Sequence, residues 1–107
     1  MTYKEVFQSA QDKGYKLYHK PAFLWTKEGE EHLIRDIEPQ LELTLIQKWL
    51  REKHNISMWA FQEKRLDAGF VVYIDGKLKA HNHGRLRTYE DALLEGIYES
   101  LKLIHND

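Results

Sequence analysis

Along the last third of the chain the spacing of apolar residues changes period twice. Phe70 to Ile74 is a nearly continuous apolar run, Lys77 to His81 alternates polar with apolar, and from Thr88 the apolar residues recur every third or fourth position. These patterns predict a strand, a second strand and an amphipathic helix. Between the strands stands Asp75-Gly76, a strong hairpin signal because glycine accepts positive φ without steric cost. Two registers fit. A two-residue turn pairs Ile74 with Lys77 and puts Val71, Tyr73, Leu78 and Ala80 on one face. A three-residue turn with Gly76 left-handed pairs Tyr73 with Lys77; Phe70, Val72, Leu78 and Ala80 then share one face, and Val71, Tyr73, Lys77, Lys79 and His81 the other. The second separates apolar from charged residues more cleanly and is the register expected; a one-residue slip exchanges the faces.

Residues 82–87 read as a basic loop leading to the final helix. Thr88 is a good N-cap with Asp91 three residues on, and Glu90 and Asp91 suit the positive end of the helix dipole. Leu93, Ile97, Leu101 and Ile104 form the apolar stripe, widened by Ala92 and Leu94. Gly96 costs this helix roughly 1 kcal/mol against alanine, which predicts close approach to the sheet.

Earlier in the chain, Thr2 to Glu5 forms a capping box, and Tyr3 to Lys13 reads as a short helix ended by Gly14, with Val6, Phe7 and Ala10 as its stripe. Tyr15 to Tyr18 alternates with lysine and is compatible with an extra strand. Phe23, Leu24 and Trp25 make an apolar patch after Pro21, and residues 26–38 read as an acidic loop. Pro39 suits the first turn of a helix carrying Leu45, Ile46, Trp49 and Leu50, with Arg51, Lys53 and His54 at its C-terminal end and Asn55 ending it. Ile56 to Gln62 follows as a strand, with Ile56, Met58 and Ala60 on one side and Trp59 and Phe61 on the other. Residues 63–68 read as a turn or loop.

The fold expected is α+β: a helix–three antiparallel strands–helix unit over residues 39–105, preceded by the N-terminal helix. Both long helices have one apolar face, so they cover the same side of the sheet. The length of 107 residues fits a single domain, with residues 1–38 built onto the unit at 39–107. Cysteine is absent, which excludes a disulfide framework, thiolate metal sites and a cysteine nucleophile. No signal peptide or membrane span is visible, and the expected location is cytoplasmic. A net charge of −1 excludes a globally basic nucleic-acid binder. The signs are nonetheless uneven: Lys77, Lys79, Arg85 and Arg87 stand without acids, whereas residues 27–42 carry six carboxylates, Glu42 among them. Such runs are ordinarily solvated or paired within the fold.

The stretches WLREKHNI at Trp49 to Ile56 and TYEDALLEGIYESLKLI at Thr88 to Ile104 resemble a family of small uncharacterised phage- and prophage-associated bacterial proteins. The resemblance covers residues 43–104 and implies an accessory phage or mobile-element protein, with no implied chemistry. The order helix–three strands–helix is also similar to double-stranded RNA-binding domains, which present a lysine-rich start of the last helix to phosphates. Here that place reads Thr88-Tyr89-Glu90-Asp91, and its carboxylates repel phosphate. A basic three-stranded sheet followed by a helix is similar, too, to small DNA-binding domains that read a groove with the sheet.

Four sets of residues invite a chemical role. The first is the outer sheet face: Trp59, Phe61, Tyr73, Lys77 and Lys79, with Arg85 and Arg87 at the rim. There cations would hold phosphates and rings would stack on bases; packed under the N-terminal segment, the same rings would be core and the lysines edge protection. The second is His81-x-His83, with His54 or His105 as outside help; alternate residues of a strand share a face, but two ligands are too few for a tight zinc site. The third is the carboxylates Glu30, Glu31, Glu90, Asp91, Glu95 and Glu99, all in places where solvation accounts for them. The fourth is Trp25, Trp49 and Trp59, which mark a protein interface if exposed. No glycine-rich phosphate loop, nucleophile elbow or metalloprotease motif occurs. The expectation is therefore a non-enzymatic domain without cofactor or metal that binds a protein, itself included, with nucleic acid as the alternative partner and no membrane contact.

Overall fold

The computed structural model describes residues 2–17, 37–64 and 67–104, with the backbone alone described at 37–39, 64 and 83–85. Its elements are α1 (Tyr3–Asp12), α2 (Ile37–His54), β1 (Ile56–Lys64), β2 (Asp67–Ile74), β3 (Lys77–Leu86) and α3 (Tyr89–Lys102). The strands form one antiparallel sheet in the order β1-β2-β3. The expected α+β class is what the chain adopts, and α2 and α3 lie on one side of the sheet.

Each helix starts and stops where its residues dictate. The Thr2 hydroxyl accepts from the Glu5 N–H at 3.2 Å, and the Glu5 carboxylate accepts from the Thr2 N–H at 3.1 Å. Gly14, at φ +103°, turns the chain after α1. Pro39 lies in the first turn of α2, where its missing N–H has no intrahelical acceptor to lose. Asn55, left-handed at φ +55°, ends that helix. The Thr88 hydroxyl caps α3 through the Asp91 N–H at 3.0 Å.

The core lies between the helices and one face of the sheet. Ile56 and Met58 on β1, Phe70 and Val72 on β2, Ile46 and Leu50 on α2, and Ile97 and Leu101 on α3 are all buried within it. α3 packs on β1 and β2, α2 packs on β1 and α3, and α1 packs on α3. Gly96 permits the closest approach: a Cβ there would sit 2.9 Å from Met58 Sδ and 3.1 Å from Phe70 Cβ. Gln40 Nε2 donates to Glu90 Oε2 at 2.8 Å, tying the N-terminal ends of α2 and α3 together. The two helices therefore run in the same sense.

Several expectations need correction. The hairpin turn is the two-residue form: Ile74 pairs with Lys77 and Tyr73 with Leu78. Asp75 and Gly76 both take positive φ, +52° and +80°, the turn whose twist matches that of the flanking strands. Asn55 Nδ2 donates to the Asp75 carboxylate and so supports the less permissive of these two residues. One extra residue on β3, Lys79, then shifts the register, so that Ala80 pairs with Val72 and His81 with Val71. The two-residue turn puts Leu78 on the outer side, contrary to expectation, and the β-bulge then keeps Ala80 on the core side, as expected.

The basic loop expected over residues 82–87 is for the most part strand, since β3 continues to Leu86, which pairs with Ala68. β1 and β2 also run further than expected toward each other, to Lys64 and from Asp67. Tyr15 to Leu17 is not a strand, and Tyr15 turns inward to α2 instead. Phe23, Leu24, Trp25, most of the acidic loop and His105 fall outside the described residues.

Candidate functional site: the outer sheet face

Pairing fixes which side chains share the outer face, because directly opposed residues point to the same side. One row across the sheet is Ser57, Tyr73 and Leu78; the next is Trp59, Val71 and His81; Phe61 lies opposite Gly69 in a third. Trp59 is 56% exposed and Leu78 49% exposed, high values for large apolar residues. The Trp59 and Tyr73 rings meet edge-on, with centroids 5.6 Å apart and planes at 71°. Ser57, Trp59, Val71, Tyr73 and Gly76 line a shallow hollow of about 420 Å³. Residues 2–17 do not cover this face: Val6, Phe7, Ala10 and Tyr15 are buried in the core on the helix side.

Of the residues singled out from the sequence, the structure brings Trp59, Phe61 and Tyr73 onto this face and turns Lys77 away from them. Lys77, opposite Ile74, points to the side occupied by the helices. Lys77 and Lys79 line a different concavity, together with Arg51, Lys53, His54 and Ile104. Arg87 is exposed beyond the far end of β3, and the Arg85 side chain falls outside the described part. Lys77 and Leu86 stand opposite Ile74 and Ala68, so at ~3.3 Å per residue along β2 Arg87 lies about 20 Å from Lys77, well over the screening length of about 8 Å in physiological salt. Lys77 and Arg87 therefore do not belong to one patch.

One member of the outer face escaped the sequence reading, Leu78. The signal lay in Asp75-Gly76: a two-residue turn puts Leu78 beside Tyr73. Gly69 has a structural role, since a Cβ there would lie 2.1 Å from the Asn82 carbonyl oxygen. Among the described residues no group of three or more side chains is placed to hold a metal ion. No described helix is long and apolar enough to cross a membrane.

One buried polar pair also went unread. The Tyr15 hydroxyl donates to the Glu42 carboxylate, and Glu42 is fully buried rather than solvated with the acidic run. Burial, then the hydrogen bond to Glu42 and its charge, push the Tyr15 hydroxyl far above its ordinary pKa. The signal was helical spacing, since Glu42 lies on the same stripe of α2 as Ile46, Trp49 and Leu50.

No protein-family model matches this chain, and neither the curated proteins nor the solved structures give a match.

Proposed function

We propose that the chain is a non-enzymatic accessory protein, of the phage or mobile-element kind its sequence resembles, that acts by docking a protein onto the outer face of its sheet. The observation that carries this reading is the exposure of Trp59 over Tyr73, with Val71 and Leu78 beside them and no lysine or arginine lining the hollow at Trp59 and Tyr73. Aromatic anchors with few charges are what the centre of a protein interface uses. Stacking on nucleic acid would also employ the rings, but it requires cations beside them, and Lys77 and Lys79 line a different concavity. Strand addition at an edge has less support than docking on the face. Gln47 Nε2 donates to the Met58 carbonyl on the β1 edge at 3.1 Å, and the β3 edge is broken by its bulge.

The test is sedimentation velocity across a wide concentration range, first on the protein alone and then with candidate partners, comparing wild type with Trp59→Ser and Leu78→Ser. Association that both substitutions abolish, and that rising salt scarcely changes, supports the reading. Binding to DNA or RNA that weakens steeply with salt would replace it with the nucleic-acid alternative.

A further inference from the structure

We infer that the concavity at the turn end of the sheet is a separate binding site for an acidic peptide segment carrying apolar side chains. Its volume is about 860 Å³, and it lies where the C-terminal ends of α2 and α3 meet the β2–β3 turn. That is within the range of roughly 300–1,000 Å³ usual for ligand sites. The apolar lining comes from Ile56 and Ile74 on the strands and from Leu103 and Ile104 after α3. Arg51 and Lys53 line it from α2, and Lys77 and Lys79 from β3.

None of these four cations has a hydrogen-bond or ion-pair partner among the described residues. Two carboxylates share the site, Glu52 and Asp75, and Asp75 already accepts from Asn55. Each helix end adds about half a negative charge. Four full positive charges still outweigh these contributions. The excess selects an anionic ligand and the lining selects an apolar one; an acidic-apolar peptide satisfies both. Nucleic acid satisfies only the first, and a duplex does not enter a hollow of this size.

This site shares no lining residue with the hollow beneath Trp59, so the two readings stand or fall separately. The experiment is a methyl NMR titration of the full chain with a synthetic peptide alternating glutamate and leucine. Two comparison ligands are the same peptide with lysine for glutamate and a short single-stranded DNA. Saturable shifts at Ile56, Ile74 and Ile104 with the acidic peptide alone are expected. The double variant Lys77→Glu, Lys79→Glu should weaken binding about tenfold while the Val72 and Ile97 methyl signals hold their positions. Arg51→Glu, on a different element, should act in the same direction and serves if the double variant fails to fold. Trp59→Ser should leave the titration unchanged. The proposal is overturned by absence of shifts at those methyls, by an equal response to the lysine peptide, or by DNA that binds there as tightly.

Discussion

The two faces of this small sheet carry similar side chains in opposite circumstances. On the helix side, Ile56, Met58, Phe70 and Val72 are sealed by α2 and α3. On the other, Val71, Tyr73, Trp59 and Leu78 meet no described helix, and Trp59 is more than half exposed. Hydrophobicity alone therefore does not say which face is core. The helices decide it, through Gly96 on α3 and the Ile46–Leu50 stripe on α2, both of which seat on the Met58 side. Apolar residues on the sealed face hold the fold together, whereas those on the open face remain available to a partner.

That contrast can be broken first at Ile97, fully buried against the sealed face. Ile97→Ala should cost about 2–5 kcal/mol in denaturant unfolding, from lost burial and the cavity left behind. A smaller loss would mean that the helix layer is loosely seated. Next is Gly69, where an added methyl meets the backbone of β3. Gly69→Ala should cost about 1–3 kcal/mol, and its amide signals should change on both β2 and β3.

Tyr15→Phe should cost about 1–3 kcal/mol, because the buried Glu42 carboxylate loses a donor. The same pair gives a pH signature. Folding raises the Tyr15 pKa, so its contribution is fully present below the ordinary tyrosine value of about 10 and is lost as pH rises above it. Wild type should therefore weaken in alkali more than Tyr15→Phe does; parallel curves would remove the pair from the account. The smallest effect belongs to the open face. Leu78→Ser should shift stability by no more than about 0.5 kcal/mol, as read by the thermal midpoint, while impairing association.

Much of this architecture was legible in the chain. Thr2, Gly14, Thr88 and the stripes of α2 and α3 act locally, so their residue types mark them without reference to the rest of the fold. Gly96 announced a close approach, and the alternation from Ile56 to Phe61 assigned both faces of β1 correctly. The register of β3 was only partly legible: Asp75-Gly76 allowed a two- or a three-residue turn and the wrong one was expected, while the insertion at Lys79 is one that alternation over five residues cannot reveal. That error moved Leu78 off the outer face and Lys77 onto it, and so merged two surfaces into one basic aromatic patch. Glu42 was misread for a related reason: charge composition treats a segment as one environment, whereas helical phase separates Glu42 from its acidic neighbours. The cations of the cleft come from sequence positions 51 to 79, and only the meeting of α2 with the hairpin turn brings them together.

The open face is tested most directly by the fluorescence of Trp59 in a full-length chain with Trp25→Phe and Trp49→Phe. At high dilution the emission should be red-shifted and freely quenched by acrylamide, with protection appearing only when a partner or a second copy binds. Blue-shifted emission shielded from quencher at every dilution would show that Trp59 is covered within the monomer, and would contradict the account.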